Sequence, residues 1–366
     1  MAIDYKQARV ALELKHPRPL IGCRFDPTGR FLFVSAEDNT LQRYDLWTGK
    51  KTALIGHASW ARGIAFSPAA AAAVPASLVP PAPALGGPAA AAIPPARPFA
   101  LVSGDYHGRL VWWDGSADRP GPDRIVEAHD GWVRAVAVSP DGNTVASCGN
   151  DHLVKLWSVG DGQLRRVLAG HESHVYNVAF HPKENRLVSC DLKGIIKDWD
   201  LAAGQVVREL DAKALHKYDT GFRADIGGAR GMSFSADGTA LACTGITNVS
   251  NAFAGVGNPL VIQFDWKDGK PKLLKPKEGY QGTGWGVAIH PAGFTVAAGG
   301  ASNGRIWFWA GEENAHTVEV PASARDMTLH PSGTAVAVAG HNGTAYVYTL
   351  LPGPPAPAKA TPPAKK

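Results

Sequence analysis

Seven copies of one strand–turn–strand pattern, a unit of about 41 residues, and turns built on Pro and Gly predict an all-β chain. The fold class that satisfies all three is a seven-bladed β-propeller of four-stranded antiparallel blades. Pairing of the N-terminal strand with the last blade would close it. Composition agrees: 45% of the 366 residues are hydrophobic, 41 are Gly and 11 are Trp, enough for a large core and many turns.

The turns can be read in chain order. They are Phe25-Asp26-Pro27-Thr28-Gly29, Phe66-Ser67-Pro68, Val138-Ser139-Pro140-Asp141-Gly142 and Phe180-His181-Pro182. Phe234-Ser235-Ala236-Asp237-Gly238, Ile289-His290-Pro291-Ala292-Gly293 and Leu329-His330-Pro331-Ser332-Gly333 follow. Pro fixes φ at the turn and Gly accepts positive φ. The intervals from Phe25 are 41, 72, 42, 54, 55 and 40 residues, so three repeats carry insertions. These fall at 69–98, an Ala/Pro tract read as a flexible spacer, and at 211–228 and 246–259, read as loops. The propeller is expected over 1–350 and a disordered Pro/Ala/Lys tail over 351–366.

Specific residues recur in register. Repeat three carries His129, Ser147, Asp151 and Trp157; repeat four carries Gly170-His171, Ser189 and Trp199-Asp200; repeat two carries Gly56-His57, Ser103 and Trp113-Asp114. The His-to-Trp spacing is 28 residues in both repeats three and four. In this the chain resembles the WD-repeat (WD40) family of β-propellers. The resemblance implies a hydrogen-bonded chain of His, Ser, Asp and Trp inside a blade, with His129, Ser147, Asp151 and Trp157 as the full set. It also implies that each repeat supplies the outer strand of one blade and three inner strands of the next. Elsewhere the pattern decays: His107 and Lys193 stand where repeats two and four should have Asp. Tyr44, Phe264 and Tyr348 replace the Trp of repeats one, five and seven, and repeat six keeps Trp309 with Asn303.

A catalytic triad of His129, Ser147 and Asp151 is rejected, because the nucleophile would sit in mid-strand without an elbow or oxyanion turn. No catalytic, metal or cofactor residue is assigned. The strand-one positions, aligned on the turns, instead put an aromatic and Arg ring around one mouth of the channel. The expected partner-binding residues are Trp60, Arg62, Trp132, Arg134, His174, Tyr176, Arg230, Trp285 and Arg325, with Lys217 and Phe222 from the 211–228 insertion. Trp, Tyr and Arg are the residues enriched in binding hot spots, and guanidinium groups favour acidic or phosphorylated partners.

The function expected is a non-catalytic scaffold or adaptor for another protein or peptide bearing acidic groups. A propeller hydrolase or lactonase with a channel metal ranks second, since its ligands would have to replace Arg and aromatic rim residues. Nucleic-acid binding ranks third, because the formal charge of +5 is mild and dispersed. No apolar leader or membrane-spanning stretch is evident in the sequence. Cys23, Cys148, Cys190 and Cys243 have no metal or disulfide spacing, so buried thiols and a cytoplasmic location are expected.

Overall fold

Each repeated pattern folds into two antiparallel strands joined at its Pro or Gly turn, and a third and fourth strand follow it. The computed structural model describes residues 3–68, 98–251 and 256–353. Among these residues lie seven four-stranded antiparallel sheets, one extra two-stranded hairpin, two 3-10 turns and no α-helix. The Ala/Pro tract, apart from Pro98, and the tail beyond Gly353 lie outside the described residues.

The innermost strands are Leu20–Phe25, Ala61–Phe66, Val133–Val138, Val175–Phe180, Gly231–Phe234, Thr283–Ile289 and Ala324–Leu329, taken as blades one to seven. Every blade packs on both neighbours. Seven apolar clusters fill the seven junctions; the one formed by Leu20, Cys23, Leu32 and Val34 against Ala335, Ala337 and Val347 joins blade one to blade seven. The ring is therefore closed, with its core spread between blades rather than gathered at a centre. The fourth strand of blade seven is Arg9–Lys15, paired antiparallel with Thr344–Thr349 from Arg9 opposite Thr349 to Lys15 opposite Thr344.

The insertions take ordered forms where they are described. His216–Asp219 pairs with Ala224–Gly227, and Leu215 beside them is fully buried in the junction of blades four and five. The second inserted segment prolongs two strands of blade five, Ala240–Asn251 and Val256–Asp265, into a long hairpin.

The His-Pro turns join blades. His181, His290 and His330 each present Nε2 to the carbonyl of a turn glycine in the next blade: Gly238 at 3.0 Å, Gly333 at 2.8 Å and Gly29 at 2.9 Å. Their Nδ1 atoms accept backbone N–H groups of their own turns, which fixes the neutral tautomer with Nε2 as donor. Gly29 has φ +74°, and a Cβ there would stand 2.3 Å from His330 Nε2, so both backbone and contact demand glycine.

Burial lowers the His290 and His330 imidazole pKa values below the ordinary one, against the raising effect of their hydrogen bonds to Gly333 and Gly29. Burial lowers that of His129 too. A depressed folded value means the unfolded chain takes up protons first. The stabilisation is complete above the unfolded value of about 6.5 and is lost as pH falls through the folded values. The melting midpoint should therefore fall from pH 7 to pH 5, and the double variant His290→Asn/His330→Asn should show a flatter profile. Equal slopes for parent and variant would remove these staples from the account.

Candidate docking site at the mouth of the channel

The loops before each innermost strand and those between the second and third strands share one end of the ring. At that end the innermost strands are irregular. The register shifts at Leu20/Gly22, Ala61/Gly63, Val133/Ala135, Val175/Asn177, Gly284/Gly286 and Ala324/Asp326. The extra residues are Ile21, Arg62, Arg134, Tyr176, Trp285 and Arg325. Arg230 holds the corresponding place in blade five, where its N–H donates to Thr244 O, the residue paired with Gly231. A bulge leaves one residue out of the ladder and re-aims its side chain. One such residue comes from each blade, and four of the seven are arginines.

Aromatic rings hold the guanidinium groups. Arg62 lies 4.8 Å from the Trp285 ring centroid; Arg134 lies 4.4 Å from both Trp132 and Tyr176. Arg230 lies 4.6 Å from Tyr176 and 5.5 Å from Trp285, and Arg325 lies 5.7 Å from Trp285. Such contacts fix the planar cations without neutralising them. Arg62, Arg134, Arg230, Trp132, Tyr176, Trp285 and Tyr106 line a cavity of about 200 Å³. A second cavity of about 470 Å³ continues along the channel past the same three arginines.

Among the described residues no carboxylate forms an ion pair with Arg62, Arg134, Arg230 or Arg325. Asp326, which lines the channel, is already held by Arg24 at 2.5 Å and by the Cys23 N–H at 3.0 Å, while Glu37 acts on Arg325 without forming an ion pair with it. Burial, and then repulsion from Arg62 and Arg134, lower the pKa of Arg230; burial also lowers those of Arg134 and Arg325. Arg230 Nε and Trp285 Nε1 are buried with no hydrogen-bond partner.

The remaining rim residues are less convergent. Trp60 and Trp132 are about two-fifths exposed, and the Trp60 indole donates to Glu37 O at 2.8 Å. His174 bonds to Asn150 O beside the rim. Lys217 donates to Val249 O on the blade-five hairpin, and Phe222 is exposed at the tip of the 216–227 hairpin. Neither reaches the cavity lining. Tyr106 does, stacked on Trp132 at 4.1 Å with parallel planes, and sequence reading missed it. Its place in the loop between the second and third strands of blade two was the available signal.

Inside the blades, Trp157 Nε1 donates to Ser147 Oγ at 2.9 Å, Ser147 meets His129 Nε2 at 2.7 Å, and His129 Nδ1 meets Asp151 at 2.8 Å. The indole donor sets the direction: Ser147 O–H donates to Nε2 and Nδ1–H to the carboxylate. Ser147 is wholly buried, out of reach of any substrate. The gaps expected in blades two and four are corrected. Asp105 and Asp191, two residues after the serine instead of four, complete the chains Trp113–Ser103–His57–Asp105 and Trp199–Ser189–His171–Asp191. Trp157→Phe should cost about 1–3 kcal/mol in a denaturant melt by stranding Ser147. An unchanged midpoint would contradict a stabilising role for this chain.

The family model described as "WD domain, G-beta repeat" matches residues 121–158 and 162–200. Each match joins the outer strand of one blade to three inner strands of the next, as with Pro122–Glu127 and Val133–Ser158. The chain is a seven-bladed β-propeller that carries WD repeats within residues 121–200. Over short segments this propeller is similar to curated proteins. "Polyadenylation factor subunit 2" of Candida albicans is 31% identical over 68 residues, 19% of this chain and 12% of that protein. "Pre-mRNA-splicing factor prp46" of Emericella nidulans and of Aspergillus fumigatus are each 40% identical over 45 residues, 12% of this chain and 10% of theirs. The matched segments thus span about a tenth of these relatives.

These relatives overturn the cytoplasmic expectation, since polyadenylation and pre-mRNA splicing are nuclear steps. The four cysteines are free and buried. Free thiols do not separate the two compartments, because both are reducing. No described helix is long and apolar enough to cross a membrane. Among the described residues no group of three His, Cys, Asp or Glu side chains is placed to hold a metal ion.

Proposed function

We propose that this WD-repeat propeller is a non-catalytic scaffold whose partner docks over the channel mouth lined by the bulge residues. The observation that carries the reading is the ring itself: four arginines among seven inward residues, braced by aromatics and without ion-paired carboxylates. Uncompensated, partly buried cations cost free energy in the free protein and recover it against an anionic partner. Trp60 and Trp132, both partly exposed beside the mouth, supply apolar anchors. His174, Lys217 and Phe222 extend the surface outward. The relatives' names, a polyadenylation factor subunit and splicing factors, support a partner within a nuclear RNA-processing assembly.

Capture from native extract tests this reading. The variant Arg62→Glu/Arg134→Glu/Arg325→Glu should lose the proteins the parent retains, with circular dichroism and melting close to the parent. Lys183→Glu, on an exposed turn at the opposite end, should retain them. Loss on the Lys183 side with retention by the triple variant would refute the docking face.

A further inference from the structure

We propose that the channel mouth is a receptor for one phosphoryl group displayed by a protein partner, an inference that rests on the docking reading above. Arg62, Arg134 and Arg230 line a single cavity of about 200 Å³, and none forms an ion pair among the described residues. A carboxylate would neutralise one of three cations. A phosphoryl group carries a charge of about −1.5 to −2 at neutral pH and offers three acceptor oxygens, a better match to three guanidinium groups.

Two buried donors at this place lack acceptors: Arg230 Nε and Trp285 Nε1. Buried polar groups are ordinarily satisfied, so an unfilled pair beside a cation cluster marks where a ligand's oxygens belong. The cations are also preorganised. Tyr176 lies between Arg134 and Arg230, 4.4 and 4.6 Å from them, and Trp285 lies 4.8 Å from Arg62. Arg134 is further tied by its Nε to Asn150 Oδ1 at 2.7 Å. Little side-chain freedom remains to be lost on binding.

A phosphorylated protein segment fits better than RNA. A single-strand groove tracks a backbone with a stripe of cations and open aromatic faces. Here the cations form one closed patch, and Trp132 and Tyr106 are stacked on each other at 4.1 Å.

Inorganic phosphate, N-acetyl-phosphothreonine amide, N-acetyl-glutamate amide and a ten-residue oligouridylate are the probes, each at fixed ionic strength. Phosphate should raise the melting midpoint relative to chloride, more at pH 7.5 than at pH 5.5 because the dianion is the ligand. The phosphothreonine probe should bind at least about tenfold more tightly than the glutamate probe, a difference of about 1.4 kcal/mol. Arg134→Gln and, as a second variant, Arg62→Gln should abolish both effects while keeping the parent circular dichroism. Equal shifts from phosphate and chloride, or equal affinity for the phosphothreonine and glutamate probes, would overturn the proposal. So would oligouridylate binding more tightly than phosphothreonine through the same arginines. If phosphate fails while the triple Glu variant still loses its captured proteins, the docking face stands and the phosphoryl receptor falls.

Discussion

Removal of residues 1–16 is expected to open the ring, lowering the melting midpoint by about 10 °C or more and driving the protein into aggregates. Two sets of contacts go at once. The strand Arg9–Lys15 leaves Thr344–Thr349 with an unpaired edge in blade seven. Tyr5, 4.7 Å from Phe294 and 5.4 Å from Phe308, leaves the apolar cluster between blades six and seven. Asp4 N–H also releases Leu350 O. Differential scanning calorimetry with light scattering reads the outcome. A parent-like melt for the truncated chain would show that closure does not depend on this strand.

Asp105→Ala is expected to cost about 3–5 kcal/mol, the range for removing one partner of a buried ionic contact. Its carboxylate is fully buried and serves His57 Nδ1 at 3.0 Å, Arg109 Nη2 at 2.8 Å, and the backbone N–H groups of His107 and Arg109. Burial would raise its pKa, but the hydrogen bonds from His57 and Arg109 prevail and bring it to about 2. The depressed folded value sets the sign. Its stabilisation is present above the unfolded value of about 3.9 and is lost as pH falls through about 2. The Ala variant should accordingly lose much of the parent's slope between those pH values. The side chain of Asp114, the aspartate of the Trp-Asp pair in blade two, accepts from the N–H and hydroxyl of the neighbouring Ser116. Asp114→Ala should cost about 1 kcal/mol or less. Similar urea midpoints for the two variants would contradict the assignment of Asp105 to the network.

The same aspartate illustrates how far the sequence was legible. The repeat in turns and tryptophans specified the ring and the strand that closes it, because each blade needs the same alternation and the same turn. The inward positions also emerged from that alignment, since six innermost strands bulge at the corresponding place and Arg230 holds it in blade five. The network aspartates of blades two and four did not. Loop geometry lets Asp105 reach the same imidazole nitrogen that Asp151 reaches from two positions further along, and residue spacing does not encode that choice. Tyr106 escaped for a related reason: its loop between the second and third strands marks the face, but not that the ring reaches the cavity lining beside Trp132. Repeats lacking the full set improvise with backbone. Trp309 donates to Lys275 O, Tyr44 to Lys15 O and Tyr348 to Glu319 O, while Ser35 is left buried without a partner. Backbone carbonyls are present in every sequence, so composition gives no warning of such substitutions.

Whether a partner covers the channel mouth can be read from amide hydrogen exchange of the propeller with and without a captured partner. Slowed exchange is expected at the inward positions, residues 61–63, 133–135, 175–177, 229–231, 284–286 and 324–326, and at Tyr106 and Trp132. Slowed exchange confined to the His-Pro turns at the opposite end, residues 181–184, 290–293 and 330–333, would contradict it.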